Sequence, residues 1–131
     1  MSTNKFNLFL ENARLLSDKF DIVPLLYGSL GLEYLTGDIL GVDDIDILVP
    51  RVFIKERWCE FKVLLEVHGY VLVDEHEHTF VRDGVAYSYA DIEDLESFAG
   101  INTEAIEMQM HEADGVRFLL LSLEQYLAVY R

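Results

Sequence analysis

Basic residues are scarce in this chain: ten Lys and Arg stand against twenty-four Asp and Glu, a formal net charge of −14 over 131 residues. Grip on a nucleic-acid backbone needs clustered cations, so this balance excludes a nonspecific nucleic-acid binder. A membrane-surface role falls with it, because that role needs a basic amphipathic helix. A small anionic substrate survives, since a bound cation reverses the local sign. Cysteine occurs once, at Cys59, which removes intrachain disulfides and all-cysteine metal sites. Flanked by Trp58, Glu60 and Phe61, Cys59 reads as a small buried thiol on a helix. No apolar run approaches the ~20 residues that span a bilayer. The opening MSTNKFNLFLENARLL brings in polar and acidic residues too early for a secretory signal. A soluble, cytoplasmic protein with no membrane partner is expected. Repeats, linkers and low-complexity segments are missing too.

Hydrophobic residues make up 51% of the chain, with eight Phe, seven Tyr and one Trp. That is enough for one domain over 1–131 with a real core, and it is not a disordered composition. Phe6, Phe9, Leu10, Ala13, Leu16 and Phe20 recur at helical spacing, predicting an amphipathic helix over 4–20. Val23 to Tyr27 reads as a short strand, and Ser29 as the cap of a helix carrying Leu32 and Leu35 inward. Gly41 to Asp43 is a turn, and Asp44 to Val49 a strand that Pro50 closes. Phe53, Trp58, Phe61, Leu64, Leu65 and His68 predict one further helix ending at Gly69. Strands follow at 71–75, 79–82 and 85–91, with Asp83-Gly84 as a hairpin turn. Ile92 to Ala99 reads as a short helix or turn. A last hairpin joins 106–112 to 116–120, and Ser122 to Gln125 opens a final helix with a capping box. That helix has hardly begun at Arg131, as expected of a fragment or of an unusually short last helix. The order of elements predicts an α+β fold with a mixed or antiparallel sheet and flanking helices.

The most informative stretch is LLYGSLGLEYLTGDILGVDDIDILVP. A hydrophobic run stops at Gly28-Ser29, and a second run carries Asp44 and Asp46. Side chains alternate along a strand, so these two acids share a face. Two like charges beside an apolar core repel and are costly to desolvate. A divalent cation removes both costs, and carboxylate oxygens are what Mg²⁺ prefers. Gly28 permits close approach of a ligand to the backbone, and amides at a helix start bind phosphate. His76 and His78 alternate as on a strand but have no third ligand, and read as exposed hairpin residues.

Tyr27-Gly28-Ser29 followed by Asp44-Ile45-Asp46-Ile47 resembles the signature of the nucleotidyltransferase superfamily, the polymerase-beta-like enzymes. The resemblance covers roughly Val23 to Asp91. It implies a mixed sheet in which the Gly-Ser turn and its helix lie between the first two strands. It also implies a third carboxylate on a later strand beside the Asp-x-Asp strand, for which Asp91 is the candidate and Glu93 the alternate; the competing reading makes Asp91 a helix cap. Asp44, Asp46 and Asp91 would then hold two Mg²⁺ ions, and Gly28 and Ser29 the triphosphate, through amides and the Ser29 hydroxyl. The chemistry implied is attack of an acceptor hydroxyl on the α-phosphate of an NTP, ATP above all, releasing pyrophosphate. The nearest basic residues in sequence are Arg51, Arg57 and Arg82. Two other readings are a non-catalytic binding or regulatory module on the same fold and a toxin–antitoxin component. The acceptor, the base and the oligomeric state are not specified by these residues.

Overall fold

The computed structural model describes residues 3–37, 44–94, 109–122 and 126. Helix α1 (Thr3–Phe20) leads to β1 (Leu25–Tyr27), α2 (Gly28–Thr36) and β2 (Asp44–Val49). Helices α3 (Arg51–Ile54) and α4 (Trp58–Val67) precede β3 (Val71–Asp74), β4 (Thr79–Arg82) and β5 (Val85–Asp91). A 3₁₀ turn (Ile92–Asp94) follows, and β6 (Gln109–Ala113) and β7 (Val116–Leu120) form the last hairpin. The strands make one seven-stranded mixed sheet in the order β3-β4-β5-β2-β1-β7-β6. Pairs β2–β5 and β1–β7 are parallel, and the others antiparallel. The molecule is an α+β protein.

Pairing registers divide the sheet into two faces. Ile45, Ile47 and Val49 of β2 align with Tyr87, Tyr89 and Asp91 of β5, and this face is buried. Helices α1 and α4 pack on it. The Phe9 ring of α1 meets Phe118 edge-on at 5.5 Å, and Phe61 of α4 meets Tyr89 at 5.1 Å. The predicted stripe of α1 is what is buried: Phe6, Phe9, Leu10, Ala13 and Leu16. Each such large side chain taken out of water contributes about 1.5–3 kcal/mol. The opposite face carries Asp44, Asp46 and Leu48 beside Ala86, Ser88 and Ala90.

Local chemistry sets the tight turns. Asp83-Gly84 and Asp114-Gly115 all have positive φ, the geometry a two-residue hairpin demands and Asp-Gly supplies most easily. Elsewhere packing overrides the pattern. The single helix expected over 53–68 is broken between Ile54 and Trp58, with no Gly or Pro to announce it. There the Arg57 guanidinium lies over the Phe20 and Phe53 rings, at 5.1 and 4.8 Å. Glu75 to His78 form a turn rather than strand: His76 is exposed, and His78 sits edge-on to Trp58 at 4.7 Å. Cys59 is exposed on α4, not buried. The strand expected from Ile106 begins at Gln109 among the described residues; 95–108, the turn at Gly41 and most of the last capping box lie outside them.

Candidate functional site

The link from β1 to α2 is built around Gly28. Its φ is +74°, and a Cβ there would stand 2.5 Å from Asp46 Oδ2. Both facts demand glycine, one through backbone conformation and the other through space. Antiparallel pairing sets Tyr27 opposite Asp46, which is why the start of α2 lies against that carboxylate. The helix begins two residues earlier than a Ser29 cap would place it. Tyr27 occupies the N-cap and makes no side-chain cap bond, so Ser29 is the second helical residue and not the cap.

Asp44 and Asp46 lie on one face of β2, as the two-residue spacing predicts. Asp44 is exposed and Asp46 half-buried. Burial raises the Asp46 carboxyl above its ordinary value, and the Asp44 charge raises it further. The neighbouring Tyr27 phenol is raised by burial and by Asp46. This pair of oxygen donors, penalised for being charged together, is a set that fits a hard divalent cation. Opposite Asp46 on β5 stands Ser88, whose hydroxyl is 2.9 Å from that of Thr79.

Asp91 does not join them, a correction to the expected triad. It pairs with Val49, three positions beyond Asp46, or about 10 Å along the strand. It also has the opposite parity and points to the helix-covered face. There it caps the 3₁₀ turn, accepting from the Glu93 amide at 2.9 Å, and ion-pairs with the Arg51 Nε. The helix-cap reading was the right one. Glu93 goes with it, accepting from the Arg51 amide at 3.1 Å, and does not serve as the alternate. Burial works against the Asp91 charge, but hydrogen bonds from Glu93 and Arg51 outweigh it and hold the carboxyl below its ordinary value. Glu93 is held up by its hydrogen bond to Asp91, by burial and by the Asp91 charge.

A stability prediction follows from that network. Asp91→Asn is expected to cost about 1–2 kcal/mol at pH 7, the scale of a lost cap and charge-assisted bond. A lowered carboxyl stabilises fully above its ordinary range and loses that contribution as pH falls through it. The gap between wild type and variant therefore closes below about pH 4. Glu93, raised, acts with the opposite sign and keeps the figure small. Urea titrations at pH 7 and pH 3 read both; an equal gap at the two pH values contradicts this account.

The three arginines near the strands are engaged elsewhere. Arg51 serves Asp91, Arg57 pairs with Glu60 at 2.9 Å, and Arg82 pairs with Glu11 at 2.7 Å on the α1 side. Among the described residues no group of three or more His, Cys, Asp or Glu gathers as a metal site. No described helix is long and apolar enough to cross a membrane.

Sequence reasoning missed two parts of this region. One is Ser88, whose position depends on the β2–β5 register and carries no sequence signal. The other is Gly31, buried in α2 where a Cβ would stand 2.5 Å from the Tyr126 hydroxyl. That hydroxyl donates to the Leu26 carbonyl and accepts from the Leu121 amide, tying the chain's C-terminal part to the β1–α2 unit. A glycine inside a helical pattern was the available clue.

The described residues form an α+β protein in which an acidic pair and a glycine-started helix lie at the same end of two central strands. No family model matches the chain, and no solved structure matches it significantly. Over 126 residues it is 40% identical to the "Uncharacterized protein YnaI" of Bacillus subtilis (strain 168), a match covering 96% of this chain and 80% of that one. The chain belongs to the same family as YnaI.

Proposed function

We propose that the protein binds a Mg²⁺–nucleoside triphosphate, ATP foremost, at Asp44 and Asp46 beside the start of α2, and transfers a nucleoside monophosphate to a hydroxyl acceptor. The observation that carries this reading is the closeness of Asp46 to the start of a nine-residue helix, where a Cβ on Gly28 would stand 2.5 Å from Asp46 Oδ2. Helix-start amides at Gly28 and Ser29 suit a phosphate, and the acids suit the cation that travels with it. Bound there, Mg²⁺ would neutralise phosphate charge and position the α-phosphorus for attack. Asp91 is engaged by Arg51 on the other face of the sheet, so the site proposed takes one cation, held by Asp44 and Asp46.

A second reading has its own observation. With Asp91 turned to the helix side and Ser88 opposite Asp46, no described carboxylate completes a second cation site, and this favours a nucleotide-binding module without transfer activity. Isothermal titration with ATP and Mg²⁺ tests what the readings share; binding that requires Mg²⁺ is expected, and no heat from intact protein refutes both. Labelled pyrophosphate released from γ-labelled ATP in the presence of candidate acceptors separates them. Nothing in the described residues points to a toxin–antitoxin role.

A further inference from the structure

Exposed apolar side chains gather at one edge of the molecule. Among the described residues six large hydrophobics are exposed, and four of them, Val63, Val67, Val71 and Val73, lie on α4 and β3. These two elements are consecutive and pack on one another. Val63 and Val67 are one turn apart and share a face of α4, where Val67 is 74% exposed. They line an open cavity of about 660 Å³ together with Phe20, Cys59 and Leu64. Beside them β3 is an edge strand of the sheet, so alternate backbone N–H and C=O groups along it point outward. It carries no Lys or Pro to blunt that edge. Apolar surface concentrated in this way marks an interaction site.

We infer that this edge is the interface of a symmetric dimer, in which α4 and β3 of one copy meet α4 and β3 of a second copy, the two β3 strands running antiparallel. Charge selects the occupant. At the start of β3, Arg82 lies over the Tyr70 ring at 5.0 Å, and only one of its amino groups is engaged, by Glu11 and Tyr70. It lines a cleft of about 240 Å³ with Arg14, His68 and Asp18 among others. At the end of β3 stand Asp74, Glu75 and Glu77, whose only ion-pair partner among the described residues is His76. Cationic groups are therefore available at one end and acids at the other. A twofold axis through the middle of the strand sets each start against the other copy's end, so each copy brings what the other lacks. A foreign strand would have to reproduce both ends. The shift in register between Leu72 and Asp74 shortens the backbone that can pair, which leaves the four valines as the main contact.

The test is independent of nucleotide binding. Sedimentation velocity of the full chain is made at about 0.15 M salt, where exposed charges more than about 8 Å apart are largely screened. A concentration-dependent monomer–dimer equilibrium is expected. Val67→Lys combined with Val71→Lys should weaken it by at least about tenfold, because the twofold axis brings each new charge toward its own counterpart. Both positions are exposed, so circular dichroism should show the fold intact. Val52→Lys combined with Met110→Lys, at the exposed hydrophobics of α3 and β6, should leave the equilibrium unchanged. A wild type that stays monomeric at every concentration it tolerates overturns the inference without need of the variants. A dimer that survives the first pair of changes, or dissociates with the second, overturns it equally.

Discussion

Asp46→Asn is expected to do two opposite things. It should weaken Mg²⁺-dependent nucleotide binding by at least about tenfold, or ~1.4 kcal/mol. It should also make the ligand-free protein more stable at neutral pH. The second effect follows from the sign of the Asp46 shift. Burial and the Asp44 charge raise this carboxyl, so its ionised form is penalised in the folded chain. The wild type pays that penalty above the ordinary carboxylate range and escapes it as pH falls through that range. Asparagine keeps the shape and carries no charge, so its stability should be flatter with pH. Mg²⁺–ATP reverses the ranking, because a ligand at a hundred times its Kd stabilises the wild type by about 2.7 kcal/mol. Thermal melts with and without Mg²⁺–ATP, at pH 4 and pH 7.5, expose the crossover. Should the variant keep the full ligand response, Asp46 is no cation ligand and the proposed site is wrong. A fall in ligand-free stability at pH 7.5 would instead mean that the carboxylate has a structural role, for instance in supporting Gly28.

Gly31→Ala is the expected large loss of stability. The new methyl would stand 2.5 Å from the Tyr126 hydroxyl and 2.8 Å from the Leu26 carbonyl, a backbone atom that cannot swing aside. Overpacking of this kind costs about 1–3 kcal/mol. Breaking the buried bonds of the Tyr126 hydroxyl to Leu26 and Leu121 adds about 1–3 kcal/mol. A total near ~3 kcal/mol is a large share of the 5–15 kcal/mol typical of a domain. Tyr126→Phe alone should cost about 1–2 kcal/mol. Together the two changes should cost less than their sum, since losing the hydroxyl relieves part of the clash, while the Tyr126 ring carbon at 2.8 Å keeps the relief incomplete. Denaturant midpoints of the two single variants and the double variant decide it. Strict additivity would mean that Tyr126 does not rest on Gly31 in solution.

Much of the fold was legible because it rests on local rules. The stripe of α1, the Asp-Gly hairpins and the bounds of β2 follow from spacing and turn chemistry, which neighbours in the chain impose on one another. The sharing of a face by Asp44 and Asp46 is of the same kind, being nothing more than the two-residue period of a strand. What the pattern misjudged depends on partners distant in the chain. The break between α3 and α4 comes with Arg57 lying over Phe20 and Phe53. His76 and His78 alternate in sequence but lie in and at the end of a turn.

Asp91 shows where the boundary falls. Its presence on β5, and the parity it shares with Tyr87 and Tyr89, could be read directly from the residues. Whether it met Asp46 depended on how β5 slides along β2, and pairing Val49 with Asp91 put it on the wrong face and at the wrong end. By itself the sequence determined an α+β chain with two acids on one side of a strand and a glycine turn before a helix, since these need only the backbone's own periodicities. Tertiary structure alone decided that the turn touches one of those acids, that Ser88 rather than Asp91 stands opposite, and that Gly31 must be small. Register and packing are agreements between segments far apart in the chain, and no local run of residues encodes both sides of such an agreement.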